Sequence, residues 1–157
     1  METPVHKKIV IIYNDPIVGK YHSLGEGAAV VGVLDSVYEI EKTMTELGHD
    51  CTVFPLRPPV AQAESQLDGL NEVDIVFNLF EGFDGYPESE AAIAGILEKL
   101  KVRFTGSPSE ALLLCGNKAI TKEVLKSSGI PTPYWRILSA EKPADIDFRF
   151  PCIVKPL

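Results

Sequence analysis

The sequence has few of the features that mark secreted, metal-binding or membrane-spanning proteins. Its three cysteines, Cys51, Cys115 and Cys152, lack metal-site spacing, which predicts buried free thiols rather than a disulfide framework. Its three histidines are equally scattered. No apolar run approaches the roughly 18 residues of a membrane span, and the N-terminal residues lack the apolar region of a signal peptide. We therefore expect a cytoplasmic protein.

Basic residues are also fewer than acidic residues. The 157 residues include 15 lysines and arginines against 22 aspartates and glutamates, which gives a net charge of −7. Such a charge disfavours nucleic acid and anionic membranes as partners. The phosphate-binding patterns G-x-G-x-x-G and G-x-x-x-x-G-K-[ST] are absent, and the glycine-rich "GEGAAVVG" at 25–32 begins far beyond the preceding apolar run. Hydrophobic residues make up 45% of the chain, enough to build a core.

Segments with strand and helix character alternate along the first 115 residues. A continuous apolar run at 8–13, of the kind buried in parallel sheets, predicts a first strand, and further strands are predicted at 51–56, 74–80 and 102–106. Apolar residues spaced three and four apart predict helices at about 35–47 and 87–100, a short helix is predicted at 61–69, and a fourth helix follows the last strand at 107–115. This order predicts an α/β fold with a doubly wound parallel sheet.

Capping residues predict where several of these helices begin and end. Asp35 is placed to cap the first helix, and Gly48 is placed to end it. Pro87, followed by acidic residues, predicts the start of the third helix. Ser107 and Glu110 have the spacing of a capping box at the start of the fourth helix.

The pattern changes at Asn117. A helix capped by Asn117 and ended by Gly129 is followed by two predicted strands, "YWRIL" at 134–138 and "FPCIVKP" at 150–156. A domain boundary near residue 116 is therefore predicted, with domains 1–116 and 117–157. We expect residues 117–157 either to be poorly ordered or to pair through an unpaired strand edge with a second copy of the chain, which would give a homodimer.

Polar side chains follow the first and third predicted strands. In a doubly wound sheet, ligands bind where loops leave the C-terminal ends of the strands. The same residues would also suit ordinary solvated loops. The candidates for contact with a small substrate are Asn14, Asp15, Glu26, Glu81 and Gly82.

Seven short motifs occur in a fixed order within residues 76–157. They are "FN", "EG", "ILE", "FTGS", "NKAITK", "GIPTP" and "PCIVKP". This series, which covers about half of the chain, resembles the D-alanine–D-alanine ligase branch of the ATP-grasp superfamily.

The resemblance implies a Rossmann-like pre-ATP-grasp domain at 1–116 and the beginning of an ATP-grasp domain at 117–157. It implies an ATP-dependent carboxylate–amine ligase that joins amino acids through an acyl phosphate, with ATP and Mg²⁺ as cofactors. Lys118 and Lys155 occupy the positions of the family's ATP-phosphate lysines. The catalytic residues and metal ligands are expected beyond Leu157, so we expect the 157 residues alone to be inactive.

The chain departs from the family pattern at two places. The family motif G-G-x-S-x-E-x-x-V-S is replaced by "YNDPIVGKYHSLGEG" at 13–27, and Glu81 stands where the family has histidine. A carboxylate at position 81 would hold an ammonium group and repel a substrate carboxylate. Two alternatives stay open: a response-regulator receiver domain, with Asn14 and Asp15 as its acidic site, and a non-catalytic nucleotide-binding or interaction module.

Overall fold

The computed structural model describes residues 5–15, 27–83, 85–139 and 150–155. The chain divides into two compact units, Met1–Leu112 and Leu113–Leu157. In the part of the chain that the structure describes, none of the helices is both long and apolar enough to cross a membrane.

A three-stranded parallel sheet lies at the centre of the first unit. Its strands are β1 (Lys8–Asn14), β2 (Asp50–Leu56) and β3 (Ile75–Leu79), in the order β2-β1-β3. The central strand β1 is almost entirely buried because it has a neighbour on each side and helices over both faces. This arrangement confirms the predicted α/β class with a parallel sheet.

Alternate residues of β1 pack against different helices. The helices are α1 (Gly27–Glu46), α2 (Val60–Leu67), α3 (Ser89–Lys99), α4 (Ser109–Gly116) and α5 (Lys118–Ser127), with a 3₁₀ turn at Leu70–Glu72. Ile9 and Ile11 share one apolar cluster with α1, whereas Val10 and Ile12 share another with α2 and α3. The sheet is therefore covered on both faces, as the continuous apolar run of β1 predicted.

The predicted fourth strand at 102–106 is wrong. Only one bridge forms there, between Val76 of β3 and Phe104. The next donor of β3, the Asn78 N–H, bonds to the side-chain hydroxyl of Thr105 at 3.0 Å instead of to a backbone carbonyl. A side-chain acceptor thus replaces the backbone acceptor that would have continued the ladder.

The predicted start of α1 at Asp35 is also wrong, because the helix begins at Gly27. Asp35 is exposed inside the helix, between Val33 and Val37, which pack on the sheet. Local sequence alone does not distinguish an aspartate that caps a helix from one that faces solvent inside it. The predicted end is confirmed: Gly48 has φ +86°, and its N–H donates to the Thr45 carbonyl at 2.9 Å.

The third helix begins two residues later than predicted, and the fourth begins one residue later. Helix α3 starts at Ser89 rather than Pro87, and α4 starts at Ser109 rather than after a cap at Ser107. The N–H and hydroxyl of Ser109 donate to the Glu98 carboxylate at 3.1 and 2.6 Å. A carboxylate from another helix therefore holds the start of α4, which a local capping pattern does not show.

The second unit contains α5 with the predicted cap. The Asn117 side chain accepts hydrogen bonds from the Ala119 and Ile120 N–H groups, both at 3.1 Å. Residues 131–138 and 152–155 form no strand, so the two predicted strands are wrong over these residues. Pro133 directly precedes the first predicted segment and Pro151 lies within the second, and proline lacks the N–H that a sheet needs. Ile153 is 82% exposed, so the apolar run that suggested the second strand is not buried.

The three cysteines are free, as predicted, but none of them is fully buried. Cys51 on β2 is half-buried, whereas Cys115 and Cys152 are exposed. Burial raises the pKa of the Cys51 thiol, and the neighbouring Glu41 and Asp50 carboxylates raise it further, while a hydrogen bond with Thr45 lowers it.

Candidate functional site

A cleft of about 480 Å³ opens in the first unit beside the C-terminal end of β3. It lies at the edge of the sheet where parallel strands present their ligand-binding loops. Its walls come from α1, from the end of β3 and the segment after it, from α3, and from the turn that leads into α4. The lining residues are Gly32, Val33, Ser36, Asn78, Leu79, Phe80, Glu81, Glu90, Gly106, Ser107 and Leu112.

Two aromatic rings anchor the segment that follows β3. Phe80 and Phe83 are buried, and their rings meet edge to face with centroids 4.8 Å apart. Glu81, which lies between them in sequence, is exposed. The alternation of buried aromatic and exposed carboxylate therefore places Glu81 at the mouth of the cleft rather than in the core.

Asn14, the last residue of β1, contacts this same segment. Its side-chain oxygen accepts the Glu81 N–H at 2.9 Å, and its side-chain amide donates to the Gly82 carbonyl. The structure thus brings together three of the predicted substrate residues. Both polar atoms of the Asn14 side chain are engaged with the loop backbone.

A buried serine holds the other end of the loop. Ser89, 1% exposed at the start of α3, accepts the Phe83 N–H at 2.7 Å and donates to the Tyr86 carbonyl at 2.5 Å. Gly82 has φ +96°, a conformation that favours glycine. The sequence pattern did not single out Ser89, because only the folded loop shows that its hydroxyl is buried.

A second carboxylate, Glu90, lines the cleft beside Glu81. Burial raises the pKa of the Glu90 carboxyl, and the Glu81 carboxylate raises it further. Two acidic side chains in one cleft attract a cationic group and repel an anionic one. The sequence suggested Glu90 only as an acidic residue near a helix start, since its approach to Glu81 depends on the loop between them.

Asp15 contacts the end of β2, on the side of β1 opposite to β3. Its carboxylate forms an ion pair with Arg57, and its N–H donates to the Leu56 carbonyl at 2.9 Å. The receiver alternative would require Asp15 to accept a phosphoryl group, whereas here its carboxylate is paired with a guanidinium. Glu26, the remaining predicted substrate residue, lies outside the described residues.

The two predicted ATP lysines belong to the second unit, and both are exposed. Lys118 is the first residue of α5, next to the Asn117 cap, whereas Lys155 lies in a segment without regular structure. A third lysine, Lys122, donates to the Thr132 hydroxyl at 2.8 Å and to the Pro133 carbonyl at 3.1 Å. Lys122 therefore has a structural role, although it shares a helix face with Lys118.

The chain matches no established protein-family model. It is similar to the D-alanine–D-alanine ligase of Thermotoga maritima, with 29% identity over 123 residues that cover 78% of this chain and 38% of the relative. It is 32% identical over 120 residues to that of Nitratidesulfovibrio vulgaris strain Hildenborough, covering 74% of this chain and 37% of the relative. With that of Pseudomonas putida strain GB-1 it shares 30% identity over 152 residues, which cover 95% of this chain and 42% of the relative.

The chain thus spans about two fifths of the length of the curated relatives it matches. The three relatives come from different genera, and each alignment covers about three quarters or more of this chain. The same family was predicted from the ordered motifs of residues 76–157. The chain therefore belongs to the D-alanine–D-alanine ligase-like family.

Proposed function

We propose that the protein is an ATP-dependent carboxylate–amine ligase that acts on an amino acid. The observation that carries this proposal is the similarity to D-alanine–D-alanine ligases over most of the chain. In this proposal the first unit supplies a wall of the amino-acid site and the second unit supplies part of the ATP site. The protein would act in the cytoplasm.

The proposed domains are a Rossmann-like pre-ATP-grasp domain at 1–116 and the beginning of an ATP-grasp domain at 117–157. The parallel sheet and the division of the chain after Leu112 support the first assignment. The motifs around Lys118 and Lys155 support the second. The predicted inactivity of these 157 residues on their own stays a prediction.

The proposed reaction has two steps. A carboxylate oxygen of the first substrate attacks the γ-phosphorus of ATP, the bond to the leaving ADP breaks, and an acyl phosphate forms. The amine nitrogen of the second substrate then attacks the acyl carbon. Phosphate leaves with the oxygen that came from the carboxylate, and the amine gives up its proton to solvent as the amide forms.

We propose that the acidic cleft receives an ammonium group of the amino-acid substrate. The exposed Glu81 carboxylate would contact that ammonium group, and Glu90 would add negative charge behind it. Asn14 and Gly82 would form part of the surrounding wall, whereas Asp15, paired with Arg57 on the other side of β1, would not contact the ammonium group. The carboxylate that reacts with ATP would point away from the two glutamates, because like charges repel.

The Lys118 and Lys155 ammonium groups would balance negative charge on the ATP phosphates. Asn117 already accepts the Ala119 and Ile120 N–H groups, so at the start of α5 the lysine side chain, rather than these amides, is available to a phosphate. No group of three or more acidic, histidine or cysteine side chains that could hold a metal occurs among the described residues. We therefore assign no residue here to Mg²⁺.

The ATP assignment is tested by replacing each lysine in the full-length protein encoded by the gene. Loss of a charged hydrogen bond costs about 1.5–3 kcal/mol, so Lys118→Ala and Lys155→Ala should each weaken ATP binding by about 10-fold to 150-fold. Lys126→Ala is the matched control, because Lys126 is exposed at the other end of α5. Isothermal titration calorimetry measures all three, and unchanged affinity in both test variants contradicts the assignment.

A further inference from the structure

We propose that Asn14 is a positioning residue, whose side-chain amide fixes the backbone of Glu81 and Gly82 so that the Glu81 side chain stays at the cleft. The part of this inference that concerns the substrate rests on the proposed function. The part that concerns where Glu81 lies does not, and it is tested separately.

The Asn14 side chain links β1 to the segment after β3, just beyond the last residues of the two strands that pair through their backbones. The last paired residues of β1 and β3 are Tyr13 and Leu79. Beyond them the Asn14 oxygen accepts the Glu81 N–H and the Asn14 amide donates to the Gly82 carbonyl. One planar carboxamide thus joins a donor and an acceptor of consecutive residues.

The choice of asparagine follows from this pair of bonds. An aspartate could accept from Glu81 but, when ionised, would have no hydrogen to offer the Gly82 carbonyl. A hydrophobic residue could make neither bond. The two bonds also fix which way the carboxamide is turned, because the reverse orientation would set donor against donor and acceptor against acceptor.

Fixing this backbone also fixes where the Glu81 backbone lies relative to the start of α3, which carries Glu90. A Cβ atom on Gly82 would lie 3.8 Å from the Cβ of Glu90, so the loop backbone passes close to the start of α3. Ser89 holds the far end of the loop through Phe83 and Tyr86. With Asn14 holding the near end, the exposed Glu81 has a fixed backbone and is kept beside Glu90.

A similar pair of hydrogen bonds at the N-terminal ends of β1 and β3 provides a matched control for Asn14. The Asp74 carboxylate, just before β3, accepts from the Lys7 side chain at 2.9 Å and from the Lys8 N–H at 2.8 Å. Asn14→Ala and Asp74→Ala therefore each remove a two-bond link between β1 and the chain next to β3. Only Asn14 contacts a residue that lines the cleft.

The first experiment measures the pKa of Glu90 by NMR titration of the 157-residue chain. Glu81→Gln should lower this pKa, because the Glu81 charge helps to raise it. Asn14→Ala should lower it in the same direction, by freeing Glu81, whereas Asp74→Ala should leave it unchanged. Asn14→Ser, which keeps one polar atom, replaces the alanine variant if that variant does not fold.

An unchanged Glu90 pKa in the Asn14 variant would overturn the proposal if Glu81→Gln lowers it. An unchanged pKa in Glu81→Gln would overturn it too, since Glu81 would then not lie where Asn14 is proposed to hold it. These results do not depend on whether the protein is a ligase.

The second experiment measures amino-acid-dependent phosphate release by the full-length protein. Because misplacement of a substrate-contacting group costs up to about 100-fold, Asn14→Ala should raise the KM for the amino acid by about 10-fold or more and leave the KM for ATP unchanged. Asp74→Ala should change neither. An unchanged amino-acid KM in Asn14→Ala overturns the positioning role, whereas absence of turnover in the unmodified protein counts against the proposed function instead.

Discussion

Replacing Ser89 with alanine should destabilise the first unit, because the Ser89 hydroxyl makes two hydrogen bonds, one buried and one partly buried. Ser89 is 1% exposed, and its oxygen lies 2.7 Å from the Phe83 nitrogen and 2.5 Å from the Tyr86 oxygen. Alanine has nearly the same shape but leaves the Phe83 N–H and the Tyr86 carbonyl without this partner. The loop that carries Glu81 and leads to Glu90 in α3 would lose one of its two attachments.

The expected cost follows from these two bonds. Each contributes about 0.5–1.5 kcal/mol net, so losing both costs about 1–3 kcal/mol. Alanine is a better helix former than serine by about 0.5 kcal/mol, which offsets part of the loss because Ser89 is the first residue of α3. The free energy of unfolding should therefore fall by about 0.5–2.5 kcal/mol.

Urea unfolding followed by circular dichroism measures this change, and hydrogen exchange at the Phe83 amide shows whether the loop is its source. Ser65→Ala is the matched control: Ser65 also lies in a helix, but it is exposed, and its hydroxyl donates to the Ala61 carbonyl at 3.1 Å, where water can replace the bond. The control should stay within about 0.5 kcal/mol of the unmodified chain. Equal stability of the Ser89 and Ser65 variants would refute the reasoning.

Three further substitutions test the backbone and the cleft. Gly48→Ala should cost about 1 kcal/mol in thermal unfolding, because φ is +86° and a Cβ there would meet nothing within 4 Å, so the cost is purely conformational. Gly32→Ala inside α1, where a Cβ also meets nothing, should instead stabilise the chain, and the same sign for both would contradict this account. Glu90→Gln should raise the free energy of unfolding at pH 7 but not at pH 3. The folded-state pKa of Glu90 is raised, so the folded state favours the proton, and stability is lost as the pH rises from the ordinary glutamate value, about 4.3, through the folded-state value. Urea unfolding at both pH values measures the difference, and an equal effect at pH 3 and pH 7 would contradict it.

The sequence predicted those parts of the fold that depend on local signals. The apolar run of β1 predicted a buried central strand, and Gly48 and Asn117 predicted helix ends that the structure confirms. Elements that depend on distant partners were predicted wrongly. The segment 102–106 forms one bridge because a Thr105 side chain interrupts the ladder, and Asp35 resembles a cap although it is a solvent-facing residue inside α1.

The candidate site shows the same division. Glu81 and Gly82 could be proposed from their place after an apolar strand, because the C-terminal ends of parallel strands meet at one edge. Asn14 could be proposed as a site residue in the same way, but its side-chain bonds to residues 67 and 68 positions away could not be, because no local pattern reveals them. Glu90 was missed as a site residue for the same reason. Lys118 and Lys155 could be proposed only from the family motifs, since exposed lysines have no local feature that marks them as ligands.

The ligase chemistry is tested most directly by following an oxygen atom. The full-length protein is incubated with ATP and amino acids whose carboxylate oxygens are ¹⁸O, and the released phosphate is analysed by mass spectrometry. If an acyl phosphate forms, the departing phosphate carries one oxygen from the carboxylate, so each phosphate released with amide formation should contain a single ¹⁸O atom. Amide formation that releases unlabelled phosphate, or that transfers the label to AMP, would contradict the proposed function.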